Sequence, residues 1–353
     1  MRILYGVSGE GFGHSSRAKR IISFLLARGH SLLIMTYGQA YDVLKDEKGI
    51  DVLKIEGIEL IFDKNGLSLK KTFSQNAYKL LENLKNWRVI KNKIEEFKPD
   101  LCISDMEPTV PILRRIYKLP LICFDNQHRL THLKINVPKK YLKEYSIAKL
   151  AVERLVSRAD FFIILSFNKG KIQKDKEKTF IVDPILREEV IRAQNKITDW
   201  VLVYMTKKDD EILDVLKNIN QKFTVYGYGI DKQEGNLTFK KTGTLFLKDL
   251  ASAKAIIASA GFTLISEALF LKKPYFAIPL KGQFEQTLNA LFLKQSKFGD
   301  FSEKPNIKQI KNFLSKLSIY EKNILKKKIN PNEAIEVFDK VLVDIKMNRA
   351  YRK

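Results

Sequence analysis

The sequence predicts an α/β protein built from two doubly wound, Rossmann-like domains that face a cleft. The chain has 353 residues, which suits two cores of roughly 150 residues each. Short apolar runs typical of buried parallel strands alternate with apolar patterns of helical period. This alternation is interrupted by a polar stretch at 188–199 and then begins again, which indicates a second domain.

In the first half, mainly apolar runs predict strands at 1–7, 32–36, 101–104, 121–124 and 161–165. Helices are predicted at 15–28, where Ala18, Ile21 and Leu25 share one face, and at 111–117. In the second half, strands are predicted at 201–205, 223–226, 255–258 and 275–278, and helices at 211–219, 263–270 and 284–294. The predicted domains are therefore 1–190 and 200–330, followed at 331–353 by a basic helix expected to pack back on the first domain.

Composition excludes several classes of protein. Hydrophobic residues make up 45% and charged residues 29%, which is typical of soluble globular chains. No signal-peptide pattern follows the first strand, and later apolar runs are far shorter than the ~20 residues that span a bilayer, so a cytoplasmic protein is expected. Cys102 and Cys123 lie in strand-like runs and are expected to be buried free thiols. No CxxC or HExxH pattern occurs, so no metal is expected.

The formal net charge of +23 indicates which partners the protein could bind, but it does not indicate the fold. Nucleic acid and an anionic membrane surface both fit it, as does a general lysine bias that leaves these side chains solvated. The stretch 129–158 carries eight basic residues against Glu144 and Glu153, interleaved with apolar residues, and the region 67–93 has a similar mix with Phe73, Tyr78 and Trp87. Such interleaving favours a segment that lies among lipid headgroups, although an ordinary amphipathic helix has the same pattern.

A glycine-rich loop follows the first predicted strand. Gly9, Gly11 and Gly13 precede His14, and the helix that begins there directs its free amides toward the loop. The loop suits a phosphate, but it lacks the Gly-Lys-Ser/Thr of a P-loop and the acidic residue of a nicotinamide site. His14 lies where strands open into a crevice, so it could act as general base or donate to an anion.

A second turn of small residues, Ser259-Ala260-Gly261-Phe262-Thr263, joins a predicted strand to a helix. Thr263 can cap that helix or bind a phosphate, and Glu267 follows one turn later. A carboxylate at that position can accept two hydrogen bonds from a ribose diol. Glu285 and Asn289 share a face of the next helix beside Gln286, and such groups suit sugar hydroxyls.

Five stretches together resemble the GT-B glycosyltransferases, and most closely the relatives of MurG, the N-acetylglucosaminyltransferase of peptidoglycan lipid. They read GEGFGHSSR at 9–17, SDMEP at 104–108, DNQH at 125–128, AGFTLISEA at 260–268 and KGQFEQTLNA at 281–290. Within that group the chain resembles a family of mostly uncharacterised bacterial and archaeal enzymes. The resemblance spans residues 1 to about 300, and the last stretch is its most specific part.

The resemblance implies a role for each motif. The donor nucleotide-sugar would be bound by residues of the second domain, namely Leu247, Ala260, Gly261, Phe262, Thr263, Glu267, Glu285, Gln286 and Asn289. Leu247 would read the base through its backbone. The acceptor or its phosphate would meet Gly9, Gly11, Gly13, Arg17, Asn126 and His128. His14 would lie near the reacting centre.

The chain departs from MurG in both domains. Its second domain begins with Tyr204-Met205-Thr206-Lys207 rather than a glycine-rich loop, and its acceptor loop reads Asp105-Met106-Glu107-Pro108. Acceptor identity therefore does not carry over. Asp105 and Glu107 lie just past a strand end and compete with His14 as candidates for the general base.

The expected reaction is an inverting transfer of a sugar, from UDP-sugar above other donors, to an acceptor hydroxyl on a lipid-linked or other cell-envelope molecule. No metal or other cofactor is expected, because helix amides and Thr263 would stabilise the leaving diphosphate. The protein could then attach peripherally to the inner face of the membrane. A nucleotide-sugar 2-epimerase of the same fold is one alternative, and it would need no second substrate. A basic nucleic-acid-binding protein is another, although the chain has no RNP, KH or zinc-finger pattern.

Overall fold

The computed structural model describes residues 1–57, 61–63, 66–67, 71, 74, 76, 79, 86–156, 158–176, 178–194 and 197–350. It divides the chain into two compact units. Unit 1 is Met1–Ile185 with Asn330–Lys353, and unit 2 is Leu186–Ile329. The predicted α/β class is confirmed, because each unit contains a mainly parallel sheet whose strands are joined by helices. The strands and helices predicted from the sequence are confirmed, with ends that agree within three residues.

The strands of unit 1 are β1 Arg2–Val7, β2 Ser31–Thr36, β3 Asp51–Lys54, β4 Phe62–Asp63, β5 Gly66–Leu67, β6 Leu101–Asp105, β7 Leu121–Asp125, β8 Phe161–Leu165 and β9 Thr179–Val182. Its helices are α1 Phe12–Ala27, α2 Gly38–Leu44, α3 Trp87–Phe97, α4 Thr109–Ile116, α5 Arg129–His132, α6 Leu142–Leu155 and α14 Glu333–Ala350, with a 3₁₀ turn at Lys139–Tyr141. In the described part of the unit, the main sheet has the order β3-β2-β1-β6-β7-β8-β9 and is parallel throughout.

The central strands of unit 1 are mainly apolar, and polar residues such as Asp105 and Asp125 stand at their carboxyl ends. On one face, Leu4 and Cys102 pack against Ile90 of α3 and Leu113 of α4. Both cysteines are buried free thiols, as the sequence predicted. Helix α14 closes unit 1: the ring of Phe338 meets that of Phe124 edge-on at 5.6 Å, which explains why the end of the chain belongs to this unit.

The strands of unit 2 are β10 Val201–Tyr204, β11 Phe223–Tyr226, β12 Lys232–Glu234, β13 Leu237–Phe239, β14 Ala255–Ser259, β15 Tyr275–Ile278 and β16 Gly299–Phe301. Its helices are α7 Glu188–Ile191, α8 Asp210–Lys217, α9 Leu245–Ser252, α10 Phe262–Phe270, α11 Phe284–Gln295, α12 Ile307–Ser315 and α13 Leu317–Lys326. Across the residues described here, the sheet has the order β12-β13-β11-β10-β14-β15-β16. Only the β12–β13 pair of this described sheet is antiparallel.

The core of unit 2 lies between this sheet and helices α8 and α12. Val203 and Ile257 from the central strands meet Leu216 of α8 and Phe313 of α12. Asn306 caps α12 in a capping box with Gln309, which fixes where the helix begins. Because β10 and β14 pair in parallel, their carboxyl ends lie side by side at one end of the sheet.

Candidate active site

The carboxyl ends of β1, β6 and β7 bring together the polar residues of unit 1. The strand β2 lies on one side of β1 and β6 on the other, so the order of the strands reverses at β1. Such a switch point is where open α/β sheets bind ligands. The parallel register sets Val7 beside Asp105, so the loop after β1 opens next to this carboxylate.

Asp105 is the centre of a buried cluster at this edge. Its Oδ1 lies 2.8 Å from Nδ1 of His14, and its Oδ2 accepts from Nε of Arg17 at 2.6 Å. Arg17 also donates through Nη2 to Oδ1 of Asp105, and through Nη1 to Oδ1 of Asn126 at 2.8 Å. Complete burial acts to raise the pKa of Asp105, but Arg17 and His14 outweigh it and hold that pKa below its ordinary value. The cluster therefore keeps Asp105 ionised.

The glycines of the first loop serve different purposes. A Cβ on Gly9 would lie 2.3 Å from the carbonyl oxygen of Tyr37, so packing against the neighbouring loop requires glycine there. Gly11 has a φ of 76° and precedes α1 as its N-cap, without a side-chain cap. Gly13 lies in the first turn of α1. The first amides of α1 are not capped by the Gly11 position and suit an anion, whereas Gly9 packs against the neighbouring loop.

Glu107 does not belong to this cluster. Its Oε1 and Oε2 accept from the backbone amides of Thr109 and Val110 at 2.8 and 2.9 Å, so the carboxylate caps α4. The side chain is fully buried, and burial raises its pKa. A Cβ on Gly6 would lie 2.6 Å from Oε2, which shows how closely β1 covers it. In this structure the carboxylate of Glu107 is therefore enclosed by protein and caps α4 rather than facing the Asp105 cluster.

The Asp-Asn-Gln-His stretch after β7 divides its side chains between two environments. Asn126 joins the Asp105 cluster through Arg17. His128 instead turns away: its Nδ1 lies 2.7 Å from Oδ2 of Asp125, and its Nε2 lies 3.1 Å from the carbonyl oxygen of Val156. Both ring nitrogens lie within hydrogen-bond distance of protein oxygen atoms. His128 therefore lies apart from the acceptor loop in which the sequence had set it.

Cys123 completes this buried group, with its Sγ 3.0 Å from Oδ2 of Asp125 and 3.2 Å from Nδ1 of His128. Among the residues that the structure describes, these three form the one group close enough together to hold a metal ion. Each of the three already has a partner of suitable polarity within the group. The contacts therefore describe a closed hydrogen-bonded group with Cys123 as a thiol donor.

In unit 2, the turn from Ser259 to Gly261 is held firmly in place. The Oγ of Ser259 accepts from the amide of Thr206 at 3.1 Å, and the carbonyl oxygen of Ser259 accepts from Tyr275 Oη at 2.7 Å. Asn289, which is fully buried, donates to the carbonyl oxygen of Ala260 at 2.9 Å. Asn289 therefore positions the turn from behind. Gly261 precedes α10 without a side-chain cap, and a Cβ there would meet no atom within 4 Å.

The helix α10 that follows this turn carries three of the predicted donor-binding residues. Phe262 is its first residue and is buried, whereas Thr263 is half-buried in the first turn. Glu267 lies one turn further and is buried, and Arg187 covers its carboxylate. Nε and Nη2 of Arg187 donate to Oε1 and Oε2 at 2.7 and 2.8 Å. These hydrogen bonds are the largest factor that raises the pKa of Arg187.

The helix α11 and the loop before it hold the residues predicted to meet the donor sugar. Gln286 accepts from the amide of Leu280 at 3.0 Å and donates to Oε1 of Gln283 at 2.9 Å, so it organises this loop. Glu285 is half-buried in the first turn of α11. Asn289 faces the Ser259–Gly261 turn, so the shared face predicted for Glu285 and Asn289 does not make one polar surface.

Aromatic side chains surround the segment predicted to read the base. Leu247 is half-buried in α9, next to Phe246. The ring of Phe246 meets those of Tyr204 and Tyr226 edge-on at 5.4 and 5.0 Å. Tyr226 donates to Oδ2 of Asp249 at 2.6 Å. The rings of Tyr204 and Tyr226 therefore pack around Phe246, next to Leu247.

The sequence model of glycosyl transferase family 1 matches residues 1–318. The chain belongs to glycosyl transferase family 1. It is 24% identical over 328 residues to an uncharacterized glycosyltransferase of Methanosarcina acetivorans, covering 85% of each chain. It is also 24% identical over 334 residues to a second one from Methanosarcina mazei, again covering 85% of each. The protein is thus a glycosyltransferase.

Solved structures with the same fold include other glycosyltransferases. UGT2 of Phytolacca americana, complexed with UDP-2-fluoroglucose and pterostilbene, matches with a TM-score of 0.71 and 13% identity over 98% of this chain and 99% of that one. CalG4, the calicheamicin glycosyltransferase, matches with a TM-score of 0.68 and 15% identity over 97% and 98%. At this identity the likeness concerns the fold, and it agrees with the two Rossmann-like units.

Sequence reasoning missed one prominent residue of this family 1 member. Arg187 directly precedes the polar stretch 188–199, which the sequence analysis used only as a domain junction. The signal available was weak: an arginine next to two glutamates, Glu188 and Glu189, reads as a solvated charge cluster. Only the structure brings Arg187 across to Glu267.

Proposed function

We propose that this glycosyltransferase moves a hexose from a UDP-sugar to an acceptor hydroxyl with inversion at the anomeric carbon. The observation that carries the proposal is the contact between Nδ1 of His14 and the buried carboxylate of Asp105. An ionised aspartate that accepts from Nδ1 fixes the imidazole tautomer and leaves Nε2 with a lone pair. His14 is then the general base, and Asp105 orients it.

The chemistry requires one displacement. Nε2 of His14 takes the proton of the acceptor hydroxyl while the acceptor oxygen forms a bond to the anomeric carbon. The bond from that carbon to the diphosphate oxygen breaks on the opposite side, and UDP leaves with the electron pair. A single displacement of this kind inverts the configuration.

Unit 2 supplies the donor site. The open first turn of α10, at Gly261 and Thr263, suits the diphosphate because its amides and helix dipole favour an anion. Glu267 would accept the ribose hydroxyls, and Leu247 would read the base. Glu285 and Gln286 would contact the sugar. UDP is favoured over other nucleotides because UGT2 and LpCGTa, which share the fold, were solved with UDP-2-fluoroglucose and UDP.

No metal or cofactor is included in the proposal, because the helix amides provide positive charge where the leaving group develops negative charge. This part of the proposal has its own test. Turnover that survives EDTA supports it, whereas turnover lost in EDTA and restored by Mg²⁺ contradicts it.

The acceptor is proposed to be lipid-linked, in keeping with the resemblance to MurG, and the enzyme would act at the inner face of the membrane. None of the described helices is long and apolar enough to cross a bilayer. Attachment would be peripheral, through the surface at 139–143, where exposed Lys139, Lys140 and Lys143 flank Leu142, itself 48% exposed. Phe73 and Tyr78, the other aromatic candidates, lie outside the described residues.

A thermal-shift screen with UDP-, GDP-, dTDP- and CDP-sugars tests the proposed donor. A ligand present at 100 times its dissociation constant should stabilise the protein by ~2.7 kcal/mol, which is readily measured. No shift with any of the four nucleotides would contradict a nucleotide-sugar donor. Incubation with the donor alone completes the test, because a 2-epimerase would release a changed sugar without an acceptor.

A further inference from the structure

Arg17 contacts the same carboxylate oxygen as His14. We propose that Arg17 is a positioning residue which shares Asp105 with His14. Arg17 thereby keeps His14 unprotonated, and so able to take the proton of the acceptor hydroxyl, down to a lower pH. This inference rests on the proposed function, in which His14 is the base. It assigns a role in catalysis to a residue that the sequence analysis had set at an acceptor or phosphate site.

The geometry makes the two side chains competitors. Nδ1 of His14 lies 2.8 Å from Oδ1 of Asp105 and 2.7 Å from Nη2 of Arg17. Nδ1 can donate to the carboxylate when it carries a hydrogen, or accept from the guanidinium when it does not. It cannot do both at once. Because Arg17 is always charged, protonation of His14 sets two positive charges side by side.

Burial strengthens this effect. Asp105 is fully buried, and Arg17 is 6% exposed, so little water screens the charges. The charged and titratable groups that face the cluster come from every neighbouring element and are Tyr5 from β1, Arg17 from α1, Asp105 from β6, and Cys123 and Asp125 from β7. Arg17 is the cation of this set that lies within hydrogen-bond distance of the His14 ring.

The contacts of Arg17 also explain why its shape matters. Nε and Nη2 bind the two oxygens of Asp105, while Nη1 binds Asn126. A lysine would keep the charge without this planar fork. The substitutions Arg17→Lys and Arg17→Gln therefore separate the effect of the charge from the effect of the geometry.

The test is an ¹⁵N NMR titration of the imidazole rings, which needs no substrate. The chain has four histidines, and His14→Gln assigns the signal of interest. In Arg17→Gln we expect the His14 signal to titrate about one pH unit or more higher than in the wild type, because a like charge has been removed. The acid limb of the pH profile of kcat/KM should move in the same direction. Arg17→Lys should retain most of the wild-type midpoint.

Arg20→Gln is the matched control, since Arg20 lies on the same helix but reaches Asn332 instead of Asp105. It should change nothing. An unchanged midpoint in Arg17→Gln, or an equal change in Arg17→Lys, would overturn the inference. If Arg17→Gln does not fold, the Asp105→Asn variant and the Asp105→Asn/Arg17→Gln double variant give the same comparison without an unpaired carboxylate. The His14 signal should then titrate at a higher pH in the double variant than in Asp105→Asn.

Failure of this inference differs from failure of the proposed function. If His14→Gln loses turnover but the titration does not respond to Arg17, only the role of Arg17 is wrong. If His14→Gln keeps full turnover, His14 is not the base, whatever the titration shows.

Discussion

Arg187 covers the carboxylate of Glu267 with two hydrogen bonds, of 2.7 and 2.8 Å. The Glu267 side chain is 2% exposed, whereas that of Arg187 is 38% exposed. A ribose diol that binds Glu267 must therefore take the place of Arg187 or displace it. In the proposed donor site, Arg187, near the start of unit 2, would therefore compete with the ribose for Glu267.

Replacing Arg187 by Met should raise affinity for uridine at least several-fold, because the buried Glu267 carboxylate loses its partner and no ion pair has to be broken. Glu267→Gln should lower the same affinity, by roughly 1.5–3 kcal/mol. Calorimetry with uridine measures both changes. Arg192→Met is the control, since the Arg192 side chain lies about one turn away, is 80% exposed and pairs with Glu188. It should not change uridine affinity. Unchanged uridine binding in both test variants would exclude Glu267 from the ribose site.

The sequence predicted the central strands but not those at the sheet edges. Central strands such as β6 and β14 are buried at every residue, so they read as continuous apolar runs. The strands β3, β9 and β12 lie at or near the edges, are half-exposed, and contain polar residues such as Asp51, Thr179 and Lys232. Their pairing depends on a neighbour that is distant in sequence, and local periodicity does not show it.

The candidate site was predicted in part for a similar reason. The sequence analysis gave Asp105 and His14 as alternative bases near strand ends, whereas the structure joins the two side chains in one contact, because parallel strands end at one edge of the sheet. Glu107, which is two residues further on, does not join them. Met106 adopts a positive φ of 54°, and the chain turns so that Glu107 caps α4. Backbone reversal by a non-glycine residue leaves no mark in the sequence.

His14→Gln should lower turnover about 10²-fold or more at neutral pH while leaving nucleotide affinity unchanged, since the base acts on the acceptor. Asp105→Asn should also lower turnover, because an amide no longer selects the Nδ1–H tautomer. Steady-state kinetics with a donor from the thermal-shift screen gives both values. His30→Gln is the control: His30 contacts the N-terminal amine rather than the cluster. Normal kcat in His14→Gln would contradict the assignment.

Gly261→Ala separates folding from binding. The added methyl group meets no protein atom within 4 Å, and the backbone is in an ordinary region with φ of −67°. The melting temperature should therefore stay the same, while affinity for UDP falls at least several-fold because the methyl group crowds the diphosphate. Gly243→Ala, equally open, serves as control. Equal UDP affinity in the two variants would exclude the start of α10 as the phosphate site.

His132 should make unit 1 less stable in mild acid. Burial, followed by the charges of His128 and Lys176, lowers the pKa of His132 from 6.5 to about 4. The unfolded chain binds this proton more readily, so the contribution of His132 is complete above pH 6.5 and is lost as the pH falls toward 4. The loss should reach up to about 3 kcal/mol, with a slope of at most ~1.4 kcal/mol per pH unit.

Urea unfolding followed through Trp87, in a Trp200→Phe background, reports on unit 1 because the chain has two tryptophans. Between pH 6.5 and 4.5 the free energy of unfolding should fall less steeply in His132→Gln than in the parent. Parallel curves for the two proteins would show that another group titrates in this range.

Binding to anionic vesicles should depend on the surface at 139–143. Each basic residue near an anionic leaflet contributes about 1 kcal/mol, so changing Lys139, Lys140 and Lys143 to Glu should abolish most of the binding. Sedimentation with vesicles that contain phosphatidylserine measures it, and added salt should weaken it. The control changes Lys308, Lys311 and Lys316, exposed lysines at α12, to Glu, with the same change in net charge. If both triple variants lose binding equally, net charge rather than this surface attracts the protein. If the wild type binds neutral and anionic vesicles alike, or neither, the acceptor is not reached through an anionic leaflet.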